Sequence, residues 1–280
     1  MKKSALICAA MIGLAAVMFA QAQAPSATTG TPQGNEPVPF RLGGLTPLAS
    51  NATQPVPRMP DGTVDLWGTW VGGGEIEDME KDGGLKPGEL DSIMLPSAKT
   101  LMAARARTPE KDPHNFCLPM GVPRQAGAFP WRFVRYPTHG PATHMFVLFE
   151  GNAHMFRQIF MDGRKHPSDP SPTWFGHSIG RWEGDTVVID TIGYNDKFWF
   201  DRRGRPHTEK LHTIERWTRV NFSTLTNEVT IDDPGAYTKP FTVKFTAKLS
   251  KPGDELMEYV CLENDQFGLA GGYENPYAEK

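Results

Sequence analysis

Between residues 211 and 219 the chain alternates in a way that drives an ionisable side chain toward a core. Leu211, Thr213, Glu215 and Trp217 fall on one face of an extended segment, and His212, Ile214, Arg216 and Thr218 on the other. Neither face is purely apolar, so a charged group must be buried or sit at a rim. Glu215, between Thr213 and Trp217, is a candidate general base whose pKa burial would raise. The structural alternative is an ion pair with Arg157 or Arg181, because such networks perturb carboxylates as active sites do. Asp190 alternates with Val188 over residues 186–191 and reads as a neighbour of core positions, as does Arg157 between Met155 and Ile159. An arginine on an apolar face binds a carboxylate of the protein or of a ligand, which makes Arg157 and Arg181 candidate ligand contacts. With His212, the carboxylates Glu215 and Asp190 would carry cofactor-free acid–base chemistry such as an isomerisation, hydration or elimination.

Eight histidines invite a metal, but none shows His-x-His or helical i, i+4 spacing, so no metal site and no cofactor is expected. His207 and His212 differ by five and would point to opposite faces of a strand. His166 and His177 flank a loop over residues 168–174, where binding residues concentrate. Of the aromatic residues, Trp174 and Trp199 are the candidates to stack on a sugar or an aromatic ligand from a barrel mouth, while most others are packing residues. Ser178 lies in Gly176-His177-Ser178-Ile179-Gly180, which reads as a strand rather than a nucleophile elbow. No glycine-rich nucleotide fingerprint occurs.

The elements that must position these residues are strands. Apolar–polar alternation with turn residues between predicts strands over 144–150 and 154–161 around Gly151-Asn152, and over 176–182 and 186–191 around Glu183-Gly184-Asp185. Further strands follow over 210–220, 228–232, 238–249 and 256–261. Residues 241–249 alternate cleanly, with Phe241, Val243, Phe245, Ala247 and Leu249 against Thr242, Lys244, Thr246 and Lys248. One face therefore covers a core and the other meets water. Before them, Val64 to Trp70 reads as a first strand, and its Gly68-Thr69-Trp70 resembles the opening of lipocalin-type barrels, where the tryptophan plugs the closed end. Residues 97–106 read as a short helix with Ser97 as N-cap. The prolines from Pro109 to Pro130 argue against regular structure until about residue 132. Consecutive hairpins with one wet face, eight to ten strands in all, close on themselves to hide their edges. The expected fold is all-β: an antiparallel meander closing into a lipocalin-like barrel with a short helix before it, or else a two-sheet sandwich.

Lys2 and Lys3 precede an apolar run from Ala5 to Phe19, and Ala20-Gln21-Ala22 follows with small-x-small spacing. This is the pattern of a signal peptide over residues 1–22, with a run shorter than the ~20 residues of a membrane-spanning helix. Residues 23–57 carry seven prolines and only Glu36 and Arg41 as charges, the composition of a tether. Residues 58–280 form a single barrel domain. Cleavage removes two lysines and no acids, taking the net charge from −3 to −5. A mildly acidic chain argues against nucleic acid and anionic lipid as partners. Cys117 and Cys261 are the two cysteines left, and in an oxidising compartment the pair reads as a disulfide. The location is therefore periplasmic or secreted.

From Asp162 the chain reads Asp162-Gly163-Arg164-Lys165-His166-Pro167, then Gly176-His177-Ser178-Ile179-Gly180-Arg181-Trp182-Glu183-Gly184-Asp185-Thr186. His207-Thr208-Glu209, Ile214-Glu215-Arg216 and Tyr237-Thr238-Lys239-Pro240 follow, and Pro60-Asp61-Gly62 and the segment from Cys117 to Arg124 fit the same pattern. It is similar to a family of exported bacterial proteins of unknown function. The resemblance implies a shared fold and compartment and carries no activity. The residues themselves point to a barrel that binds, or transforms, a small apolar or ring-containing molecule. A filled barrel that docks to a partner through its loops is the other class they allow, and the volume of the interior separates the two.

Overall fold

Strand-length runs of alternating residues dominate the chain after residue 130, and in the computed structural model they close into a barrel of nine strands. The structure describes residues 54–74, 77–151, 155–259 and 261. The expected signal segment, most of the tether, the turn residue Asn152 and the strand residue His154 lie outside them.

The strands are β1 (Trp70–Gly72), β2 (Trp131–Tyr136), β3 (His144–Phe149), β4 (Phe156–Phe160), β5 (His177–Glu183), β6 (Thr186–Ile192), β7 (His212–Asn221), β8 (Thr224–Asp232) and β9 (Phe241–Leu249). They pair in sequence order, and β9 closes on β1. The expected all-β, lipocalin-like barrel is thus the fold, with one departure from a pure meander. Directions can alternate all the way round a closed ring only when the strand number is even. With nine, one neighbouring pair must run parallel, and it is β4 with β5. The 16-residue connection between them replaces a hairpin.

Two joints in the ring are thin. β4 and β5 share two residue pairs, Ile159↔Ser178 and Phe160↔Ile179, and β1 meets β2 only at Trp70↔Trp131. Inside, the odd residues of β7 and β9 face the core, as the alternation requires. Trp131, Phe133 and Trp217 pack edge-on with centroids 5.0–5.7 Å apart, each pair adding about 0.5–1.5 kcal/mol beyond its buried area.

One end of the barrel carries the hairpin tips between β2 and β3, β5 and β6, and β7 and β8. The segment before β1 crosses it. Val64 to Thr69 form no long strand, and only an isolated bridge joins Val64 to Arg58. Trp70 is fully buried there, its indole N–H donating to the Leu66 carbonyl at 3.0 Å. The Arg219 guanidinium lies 5.0 Å from its ring and donates to the Asp65 carbonyl.

The opposite end is covered by short helices: α1 (Met79–Asp82), α2 (Glu89–Ile93), α3 (Pro96–Arg105) and α4 (Gln125–Ala128). The expected helix is α3, but Leu95 is its N-cap and Pro96 its first residue, so Ser97 caps nothing. Proline suits this place because its fixed φ is helical and its missing N–H would have had no partner. For the same reason Pro109 and Pro113 open 3-10 turns where irregular chain was expected. Residues 256–259 form no strand. They are held instead by the Met257 N–H donating to Glu150 and by Tyr259 packing on Phe129. Cys261 is bonded to Cys117 across a separation of 144 residues. By the chain-entropy model that closure contributes roughly 5 kcal/mol.

Candidate functional site

Adjacent residues on β5, β6 and β7 supply two different polar clusters, one inside the barrel and one outside. The inner cluster is built on Glu215 and Arg157. Their side chains are 2% and 4% exposed and meet with Nη1 to Oε2 at 2.5 Å. Arg157 spends its other nitrogens inside the protein, Nε donating to Ser178 at 3.1 Å and Nη2 to Thr191 at 2.8 Å. The Trp217 indole donates to the second oxygen of Glu215 at 3.2 Å. Tyr194 hydrogen-bonds Thr213 at 2.7 Å, and burial pushes its phenol up to about 12. The remaining cavity beside Glu215, Arg157 and Trp217 measures about 20 Å3, room for roughly one water. The centre of the lumen is therefore filled, and its arginine and carboxylate answer each other.

The outer cluster is a chain of four side chains. Asp190 faces out of β6, between the inward Ile189 and Thr191, and does not share the core with Glu215 as the alternation with Val188 suggested. Val188 is buried on that same outer side. The Asp190 Oδ1 lies 2.8 Å from His212 Nε2 and 3.1 Å from His166 Nε2. His166 Nδ1 in turn lies 2.9 Å from His177 Nδ1. Hydrogen bonding to Asp190 raises the pKa of His212, and the same bond holds the Asp190 carboxyl below the usual range. Burial, with His166 close by, lowers that of His177.

The distances fit one arrangement of protons along the chain. An ionised Asp190 only accepts, so His212 Nε2 and His166 Nε2 both carry hydrogen. In that arrangement His166 holds its hydrogen on Nε2 and accepts at Nδ1 from His177 Nδ1–H. A neutral His177 then keeps a free lone pair on Nε2. The chain therefore ends in a basic nitrogen.

That end lines a groove of about 510 Å3 at the parallel β4–β5 joint. Trp174 and Phe175 from the connecting loop form one wall, and Phe156 and Phe160 from β4 the other. His177 stacks on Phe160 with centroids 5.1 Å apart, and the Arg164 guanidinium covers Phe160 at 3.8 Å. The groove exists because two strands running the same way share only two residue pairs. The loop joining them, residues 161–176, must return along the barrel wall and stands off it.

Of the residues singled out from sequence, His166, Trp174, His177, Asp190 and His212 come together here. Arg157 lines the floor of the groove but is bound inward. Glu215 is on the other side of the wall, so the expected trio of Glu215, His212 and Asp190 does not form one site. Arg181 is on the outer surface with Glu183, its side chain 57% exposed. Trp199 is not at a barrel mouth. It is buried at the helical end under Arg105, 5.1 Å from its ring. His207 is buried there too, stacked on Phe198 at 3.8 Å and hydrogen-bonded to its carbonyl oxygen at 2.9 Å, and burial lowers its pKa to about 3. Among the described residues, no group of three or more His, Cys, Asp or Glu side chains is arranged to hold a metal ion. Phe156 and Phe160 were not singled out, although β4 shows them: they alternate with the inward Arg157 and Ile159, leaving two phenylalanines on a face that should be wet. Comparison with known protein families, with curated proteins and with solved structures yields no match for this chain.

Proposed function

We propose that the protein binds a small ring-containing molecule in the groove at the β4–β5 joint, the ligand donating a hydroxyl or N–H to His177 Nε2. The observation that carries this reading is the hydrogen-bonded chain from His212 through Asp190 and His166, which ends at an aromatic-walled groove. The groove's volume lies in the usual range for small-molecule sites, whereas the filled lumen offers none. A ring would stack on Trp174 or Phe156 while its polar substituent meets the histidine. Titration calorimetry with phenols and aryl glycosides tests this. Binding should weaken about tenfold in His177→Phe, the loss of one hydrogen bond to a polarised acceptor, and by at least as much in Trp174→Ala. Ligands that bind equally well to both variants would sink the proposal.

The same chain favours a second reading, that the bound molecule is also transformed. His177 would take a proton from the ligand, and the imidazolium so formed would be stabilised by proton transfer along His166 toward Asp190. In that case turnover follows the titration of His177 and is lost in His166→Ala, while Glu215 acts only on folding. Export to the periplasm or beyond belongs to the same picture. It is supported by the Lys2-Lys3 start with its apolar run and by the Cys117–Cys261 bond. Among the described residues no helix is long and apolar enough to cross a membrane.

A further inference from the structure

The second thin joint carries a second hollow. Because β1 meets β2 only at Trp70↔Trp131, the edge of β2 from Arg132 to Tyr136 has no strand beside it. Residues 58–69 run along that edge where β1 would have extended, tied to it by side chains rather than by a ladder. Arg132 Nη2 donates to Thr69 at 2.6 Å, and Arg135 Nη2 donates to Asp61 at 2.6 Å. Between strap and edge lies a cleft of about 430 Å3. Its depth is apolar, formed by Val64, Leu66, Phe133, Met145 and Trp182.

Two features of its rim point to a ligand. Trp67 is 69% exposed, the most exposed large apolar side chain among the described residues. It is held there by its own N–H, which donates to Asp65 at 2.7 Å, and by the Arg132 guanidinium 5.8 Å from the ring. An indole kept in water beside an apolar cleft is a surface waiting for a partner. The second feature is Arg132, whose guanidinium lines this cleft and donates only to Thr69 and the Asp254 carbonyl, with no carboxylate paired to it. Two carboxylates oppose an anion here, Asp65, whose Oδ1 is engaged by the Trp67 N–H, and Asp61, which already pairs with Arg135, so Arg132 is the guanidinium left for one.

We propose that this cleft is a second binding site, taking a small amphipathic organic anion: an apolar or aromatic body in the depth, covered by Trp67, with a carboxylate or sulfonate on Arg132. An oxyanion accepts charge-assisted hydrogen bonds from a guanidinium that no carboxylate neutralises. The site shares no lining residue with the β4–β5 groove, so the two proposals stand or fall separately.

The probes are 1-anilinonaphthalene-8-sulfonate and N-phenyl-1-naphthylamine, which has the same rings and no sulfonate, titrated by fluorescence into the mature protein. The sulfonate should bind saturably at one site and tighter than the neutral amine. Trp67→Ala should weaken both probes about tenfold, and Arg132→Gln the sulfonate alone, by a similar factor. Trp174→Ala should leave both unchanged. Trp67 is exposed, so its replacement leaves the fold intact even if Arg132→Gln disturbs the strap. In the wild-type protein the Trp67 indole N–H resonance should shift on sulfonate addition. Absence of saturable binding, sulfonate binding that survives Trp67→Ala, or binding abolished by Trp174→Ala would overturn the proposal.

Discussion

Ser178, Thr191, Thr213 and Glu215 point into the barrel, while their neighbours His177, Asp190 and His212 point out, a single step along each strand separating the two groups. Inside, Arg157 has three side-chain oxygens within reach, of Glu215, Ser178 and Thr191, and every nitrogen is used. Outside, two nitrogens of the chain have no protein partner, His212 Nδ1 and His177 Nε2, and His177 lines a groove. Both regions bury polar groups, and both look catalytic when read as lists of residue types. What separates them is saturation. A buried polar cluster whose donors and acceptors close on themselves orders a core, whereas one that ends on an open hollow has a valence to offer.

Removing one half of the inner pair should have the largest effect. Arg157→Met or Glu215→Leu leaves a buried charge alone and should cost about 3–5 kcal/mol in denaturant unfolding. The double replacement should recover most of that, because two apolar side chains need no partner. If both single variants stay within 1 kcal/mol of wild type, roughly the scale of a surface change, the inner cluster is not the structural one.

His207, also buried, gives the pH counterpart. Its pKa is about 3 in the folded protein against 6.5 as an ordinary imidazole. The unfolded chain therefore takes up this proton first, and stability falls as pH drops from 6.5 toward 3. The loss should reach about 2 kcal/mol at pH 5 relative to neutral pH. Comparing unfolding at pH 7 and pH 5 should show it, with the difference much reduced in His207→Phe.

The outer chain should behave in the opposite way, with small effects on folding and large ones on the groove. His177→Phe and Asp190→Asn should change stability by less than about 1 kcal/mol, since both residues are partly exposed. Proton NMR should find His212 titrating above the ordinary imidazole range and His177 below it. Stability from His212 is therefore present at acid pH and lost as pH rises through its folded pKa. The smallest expected change is the sharpest test of the chain. Asp190→Asn should bring His212 back toward the ordinary value, and no movement would show that the bond at 2.8 Å does not control it.

Much of this architecture could be read from local pattern. The clean alternation over residues 241–249, the turn at Glu183-Gly184-Asp185, the mixed face of Leu211, Thr213, Glu215 and Trp217, and the surviving cysteine pair were all legible. Each depends on neighbours in the chain or on counting. The pairing of Glu215 with Arg157 was one of two readings the alternation allowed, and so were the inward directions of both side chains. Asp190 was misread because Val188, its partner in alternation, is buried on the outer side of the wall, and burial alone does not tell inside from outside.

What the residues alone determined is therefore which segments extend and which of their faces differ. Tertiary structure decided where the ring closes. Nine strands force one parallel joint, and nothing local says that it falls between β4 and β5, or that β1 grips β2 by a single pair. The register across β5, β6 and β7 then sets His177, Asp190 and His212 on one outer face, and the long return from β4 carries His166 between them. Alternation is a property of a strand by itself. Register and closure are properties of contacts between residues far apart in the chain, and both hollows lie where that closure is thinnest.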